Sequence, residues 1–148
     1  MSSDSGIQER PDIDPSVEAA NALAVVSHEL METIRNAHLA LEDCVDGRGG
    51  SAALVRCGQL LHQVGGALKI TETYGAALLA EEMEQVCAYL ATLRAGKGRE
   101  DGLDALTRAM VQLPVYIERL LGGGRDIALV LLPLLNDLRA AGGQPLLS

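Results

Sequence analysis

Apolar residues recur every three or four positions along most of the chain, which is the spacing of amphipathic α-helices. The pattern predicts four long helices: from Ser16 to about Val45, from Ser51 to about residue 70, a third ending at Arg94, and a fourth from about Asp101 to Leu121. Ser16 and Ser51 are the predicted N-caps, because a serine hydroxyl can accept a hydrogen bond from a free backbone N–H at a helix start. Short loops between helices favour antiparallel neighbours.

The end of the chain predicts a further, shorter helix. Three glycines at 122–124 end the fourth helix, and Pro133 fits the first turn of a fifth helix that ends near Ala141. Pro114 lies inside the fourth helix and is predicted to kink it, because proline removes a backbone donor.

Each long helix has one stripe of apolar residues that we expect to face a common core. The predicted core positions are Leu23, Val26, Leu30, Ile34, Leu41 and Val45; Leu54, Cys57, Leu61, Val64 and Leu68; Leu79, Met83, Val86, Leu90 and Leu93; and Leu103, Leu106, Met110, Leu113, Ile117 and Leu120.

The predicted fold is therefore all-α, an antiparallel four-helix bundle with a short additional C-terminal helix. Residues 1–15 are predicted to be a disordered acidic tail, since they contain little to bury. Residues 16–122 form the bundle, and residues 123–148 hold the short helix and the start of a linker to a following domain.

Composition narrows the range of functions that the chain can have. The net charge of −8 argues against binding to nucleic acid or an anionic membrane, both of which need a basic surface. No apolar run reaches the ~18 residues that a membrane span needs. Three separated cysteines without a CxxC motif indicate buried, reduced thiols and a cytoplasmic protein.

The stretch LLHQVGGALKI, residues 60–70, holds the main candidate site. His62 has Gly58, Gly65 and Gly66 as its neighbours one helical turn away, so we expect its ring to stand on bare backbone. Lys69 lies further along the same side. One interpretation is a histidine that carries a phosphoryl group, with the glycines giving access and Lys69 supporting the phosphate. The alternative is that the glycines let another helix pack closely.

Other candidate residues give weaker signals. Glu81 and Glu82 belong to an acidic group that is predicted to be a solvated face or to dock a basic partner. Tyr116, near Pro114, is predicted to pack in the core or to anchor a partner. His28 lies in a Ser-His-Glu-Leu sequence that echoes the phosphorylated box of dimerising histidine kinases. No metal-ligand spacing is present, and we expect no metal or cofactor.

The residues around His62 resemble the histidine phosphotransfer (Hpt) domain, whose core motif is His, two residues, Lys, Gly. His62 and Gly66 match this motif, but Gly65 stands at the lysine position, and Glu72 stands where the family usually has a glycine. The resemblance implies an antiparallel helical bundle with an exposed, phosphorylated histidine.

Residues 61–86, residues 112–148 and the acidic first helix also resemble the N-terminal region of the Chp-type chemotaxis hybrid histidine kinases. That family controls type IV pili and twitching motility in a two-component system. The same segments are similar to FimL, a smaller relative without the kinase parts.

Two functions follow from these resemblances. The chain is a degenerate Hpt module that docks a response-regulator receiver domain or a polar scaffold protein, or it relays phosphate through His62 to a receiver. The missing lysine favours docking. The chain itself is not expected to be an enzyme, and its oligomeric state is open.

Overall fold

The protein is described here by a computed structural model that covers residues 15–147, and this part of the chain is all-helical. The elements are α1 (Pro15–Val45), α2 (Gly50–Ile70), α3 (Tyr74–Ala91), α4 (Lys97–Leu121), a 3₁₀ turn (Ala128–Leu131) and α5 (Leu132–Ala141). The all-α prediction is confirmed. Residues 1–14 of the predicted disordered tail lie outside the described residues, and residue 15 already belongs to α1.

Helix ends differ from the prediction where loops contain glycine. Gly49 lies just before α2, and Gly50 is its first residue. Their φ angles are positive, 79° and 54°, which suits residues without a Cβ. Ser51 therefore lies inside α2 and is not its N-cap, so that prediction is wrong. Its hydroxyl instead donates a hydrogen bond to the carbonyl of Ala91, at the far end of α3. α3 ends at Ala91, three residues before the predicted Arg94.

The helices bury the predicted apolar stripes in one core. α2 packs against α1 and α3, α4 also packs against α1 and α3, and α5 with its 3₁₀ turn covers part of α3 and α4. Nearly all the predicted inward residues of α2, α3 and α4 are buried. On α1, Val26 is only partly buried, and Val45 is 53 % exposed because it is the last residue of the helix.

α2 and α3 run antiparallel. Successive contacts join Ser51 to Ala91, Gly58 to the region of Cys87, and His62 to Glu84, so that residue numbers rise along α2 as they fall along α3. This pair of helices carries the candidate site on its outer face.

The connection between α2 and α3 is tied to the loop after α4. Asp126 accepts a hydrogen bond from the Gly75 N–H (2.8 Å), in the first turn of α3, where backbone donors lack partners within the helix. The same carboxylate accepts a second hydrogen bond from the hydroxyl of Tyr116 (2.6 Å). A Cβ at position 75 would overlap with the Asp126 carboxylate, so glycine here lets Asp126 hold this position.

The last residues of the described chain fold back on α5. The Asn136 side chain donates to the carbonyl of Leu147 (3.0 Å) and accepts from its N–H (2.7 Å). Pro133 lies in the first turn of α5, as predicted. The division at residues 122 and 123, and a linker beyond it, stay predictions.

Two further observations concern the class of protein. The thiols of Cys44, Cys57 and Cys87 are free and buried, which agrees with the sequence prediction. In residues 15–147, no helix combines the length and the apolar character that crossing a bilayer would require.

Candidate functional site

His62 projects from the middle of α2 into solvent, with 77 % of its side chain exposed. Its neighbour Leu61 is fully buried against the other helices. The rotation of about 100° between successive helical residues therefore places the imidazole at the edge of the packed stripe.

The three glycines around His62 have different environments. A Cβ at Gly58 would lie 3.3 Å from the Cβ of Cys87, so this glycine allows α2 and α3 to approach closely. Gly65 is buried, and a Cβ there would make ordinary contacts with Glu81 and Ala80. A Cβ at Gly66 would meet nothing within 4 Å. Close packing thus explains Gly58, whereas Gly66 leaves open space beside His62.

The imidazole of His62 is oriented by α3. Its Nδ1 lies 3.1 and 3.2 Å from the two carboxylate oxygens of Glu84. An ionised carboxylate can only accept hydrogen bonds, so Nδ1 carries a proton in this arrangement. In the neutral ring the lone pair is then on Nε2. The sequence pattern does not report this contact, because Glu84 lies 22 positions from His62 on another helix.

Lys69, the predicted phosphate support, pairs with Glu81 on α3. Seven residues separate Lys69 from His62, which corresponds to ~10 Å along the helix axis. Each basic side chain on this face of α2 therefore contacts its own carboxylate on α3, and the two pairs lie about two turns apart.

A groove runs along the α2–α3 seam beside His62. It has a volume of about 570 Å³ and is lined by residues between 54 and 63 on α2 and between 84 and 88 on α3. Val55 and Ala88 supply exposed apolar surface over the buried Leu54 and Cys87, and the lining residues include no lysine or arginine. We call this feature the α2–α3 groove.

Two predicted docking residues are not available on the surface. Glu82 is buried, at 5 % exposed, and accepts a hydrogen bond from Arg139 of α5. The prediction that it shares a solvated face with Glu81 is wrong, because α5 covers this side of α3. Tyr116 is 4 % exposed and bonded to Asp126, so of its two predicted roles the core role fits the structure and the partner-anchoring role does not.

The remaining histidines do not join this site. His28 is exposed on α1, and His38 lies 3.7 Å from Glu42 on the same helix. Between residues 15 and 147, no group of three or more His, Cys, Asp or Glu side chains is placed to hold a metal ion.

Sequence reasoning missed Asp126 and Arg139. Asp126 contacts Gly75 across 51 positions of sequence, and Arg139 contacts Glu82 across 57. Such contacts depend on how α5 and the preceding loop fold onto α3, and no local periodicity reports this. The one local signal was Gly75 itself, a glycine in the first turn of a helix.

Comparison with known proteins gives one family. A family model described as the FimL C-terminal domain matches residues 17–132. The scaffold protein FimL of Pseudomonas aeruginosa is 34 % identical to the chain over 131 residues. The alignment covers 88 % of this chain but 23 % of that relative, so the chain spans about a quarter of the relative's length. No solved structure matches.

Proposed function

The chain belongs to the FimL C-terminal domain family, and we propose that it is a protein-docking module of a scaffold protein that regulates type IV pili. The name of the relative, a scaffold protein, supports docking as the activity. The link to pili and to a two-component system rests on the resemblance of the sequence to the Chp-type proteins.

One observation carries the proposal: the α2–α3 groove is open, largely apolar and free of lysine and arginine in its lining. A phosphate-binding site would need cations that stabilise the transferred charge. Here Lys69 pairs with Glu81, and the carboxylate of Glu84 sits directly against His62. An apolar groove with a few polar groups suits the docking of a protein segment. Glu81 is partly exposed and belongs to the same proposed docking surface, outside the groove itself.

The finer architecture belongs to the same proposal. We infer that the four long helices form an antiparallel four-helix bundle of the Hpt type, within a larger protein related to the Chp-type kinases. The packing of α1 and α3 against both α2 and α4, with short connections, supports this arrangement.

Site-specific crosslinking in cells tests the docking role. A photo-reactive benzophenone residue at Gln59 or Gln63, in the groove, should crosslink the full-length protein to one defined partner. Asp104 on α4, which does not pack against α2, provides a matched control position. The proposal fails if the groove positions give the same products as Asp104, or if excess unlabelled protein does not compete.

Phosphotransfer through His62 is the second candidate. The charge of Glu84 opposes a phosphoryl group nearby, but the exposure of the ring and the proton on Nδ1 favour attack by Nε2. Glu84 holds the proton on Nδ1, which leaves the lone pair of Nε2 directed away from the carboxylate in an exposed ring. Nε2 could attack the phosphorus of an aspartyl phosphate, forming a P–N bond and breaking the P–O bond to release the aspartate carboxylate.

Incubation with a phosphorylated receiver domain separates the two functions. Phosphotransfer predicts an acid-labile label that is lost in His62→Gln and kept in His38→Gln. Binding of the receiver without label supports docking alone.

A further inference from the structure

The α2–α3 groove is shaped for a short helix. Its lining includes Gly58, where the two helices approach closely enough that an added Cβ would lie 3.3 Å from the Cβ of Cys87. Its α2 wall runs from Val55 to Gln63, which is two helical turns or ~12 Å. A shallow trough between two packed helices receives the side-chain ridge of a third helix, as in other helix-in-groove complexes.

The charges in the groove indicate which side chains a bound helix would carry. Glu84 is the one carboxylate among the lining residues, and 35 % of its side chain is exposed. Its partner His62 is itself 77 % exposed and leaves part of the carboxylate open to solvent. The chain's net charge of −8 also attracts basic segments during the encounter.

We propose that the α2–α3 groove binds a partner helix of two to three turns, whose small apolar residues contact Val55 and Ala88 and whose lysine or arginine pairs with Glu84. The partner's cation takes the position on Glu84 that His62 holds in the free protein. This inference rests on the proposed docking function and adds the chemistry of the partner.

Selection from a displayed library of short amphipathic helices tests it with the whole chain as target. The selected peptides should shift the amide resonances of residues 55–63 and 84–88, and they should share one lysine or arginine beside alanine or leucine. Glu84→Gln should bind them about tenfold more weakly, as for loss of a hydrogen bond to a charged group. Glu118→Gln, the same change on exposed α4, should bind normally.

A double-mutant cycle completes the test. Replacing the peptide's basic residue by glutamine should weaken binding to the unmodified chain but cause no further loss with Glu84→Gln. Peptides that bind in the groove without a basic residue, or equally well to Glu84→Gln, overturn the charge pairing and leave docking intact. Peptides that bind only elsewhere on the chain count against both.

Discussion

Arg139 donates a hydrogen bond through Nη1 to Oε2 of Glu82 over 2.9 Å, and this ion pair fastens α5 to α3. Both side chains are largely buried, with exposures of 18 % for Arg139 and 7 % for Glu82. A buried pair adds little stability over an apolar pair of similar size, but a buried charge without its partner is strongly destabilising.

Glu82→Ala should therefore lower the free energy of unfolding by about 3 kcal/mol, because the guanidinium of Arg139 keeps its burial and loses its carboxylate. Urea denaturation measures the change. Glu118→Ala, at an exposed position of α4, should change it by less than about 0.5 kcal/mol. The double variant Glu82→Leu with Arg139→Leu should recover most of the loss. Equal stability of Glu82→Ala and Glu118→Ala would contradict the role of the pair.

The alkaline limb of the stability profile should depend on Tyr116. Burial of the phenol, together with its hydrogen bond to the Asp126 carboxylate, raises the pKa of Tyr116 above its ordinary value. Above pH ~10 the unfolded chain loses this proton while the folded chain keeps it. The folded state then binds more protons, so stability is present below that pH and falls as pH rises.

Tyr116→Phe should flatten this decline while lowering stability at neutral pH by about 1 kcal/mol, since the hydrogen bond to Asp126 is lost. Unfolding in urea between pH 8 and 11 gives both quantities. Tyr74→Phe changes an exposed tyrosine and leaves Tyr116 in place, so the free energy of unfolding should still fall at alkaline pH. A decline of the same steepness in Tyr116→Phe and in the unmodified chain would show that another group causes it.

The core was predictable because its information is local. Leu54, Cys57, Leu61, Val64 and Leu68 repeat at the period of a helix, and burial of one face follows from that period alone. The same pattern could not show that Glu82 is buried beside a partly exposed Glu81, because the covering element is α5, far along the chain. Contacts between distant segments need the packed structure.

The candidate site was predictable in the same limited sense. Glycines at one-turn spacing around His62 indicated an open helix surface, and His62 and Gly66 lie on such a surface. The sequence could not show that Gly58 contacts α3 whereas Gly66 faces open space. That difference depends on which side of α2 the helix α3 packs against. The contacts of Glu84 and Glu81 on α3 with the basic side chains of α2 depend on the register of the two helices.

Gly58 and Gly66 of α2 provide a matched pair of variants. Gly66→Ala should raise the free energy of unfolding by about 1 kcal/mol, because alanine favours the helix and the new methyl group meets open space. Gly58→Ala gains the same helix propensity, but its Cβ would lie 3.3 Å from that of Cys87 and would push α2 and α3 apart. Urea denaturation should rank Gly66→Ala above Gly58→Ala. The reverse order would mean that the close approach at Gly58 is not needed.

Glu72, after the end of α2, has a φ of 58°, and it is the one non-glycine residue with positive φ in the described part of the chain. The Glu72 N–H donates to the carbonyl of Lys69 and the Thr73 N–H to that of Leu68. These are the bonds of a Schellman motif, in which the left-handed residue is usually glycine. The resemblance to the Hpt domain gives this position a glycine as well.

Glu72→Gly should therefore stabilise the protein. Left-handed backbone costs a residue with a Cβ ~1–2 kcal/mol, and glycine loses ~0.5–1 kcal/mol of this advantage through the greater freedom of the unfolded chain. The net gain should be about 0.5–1 kcal/mol in the free energy of unfolding. Glu72→Ala removes the same carboxylate but keeps the Cβ, so it should gain nothing. If urea denaturation gives the alanine variant the same stability as the glycine variant, the carboxylate and not the backbone conformation is the source of the effect.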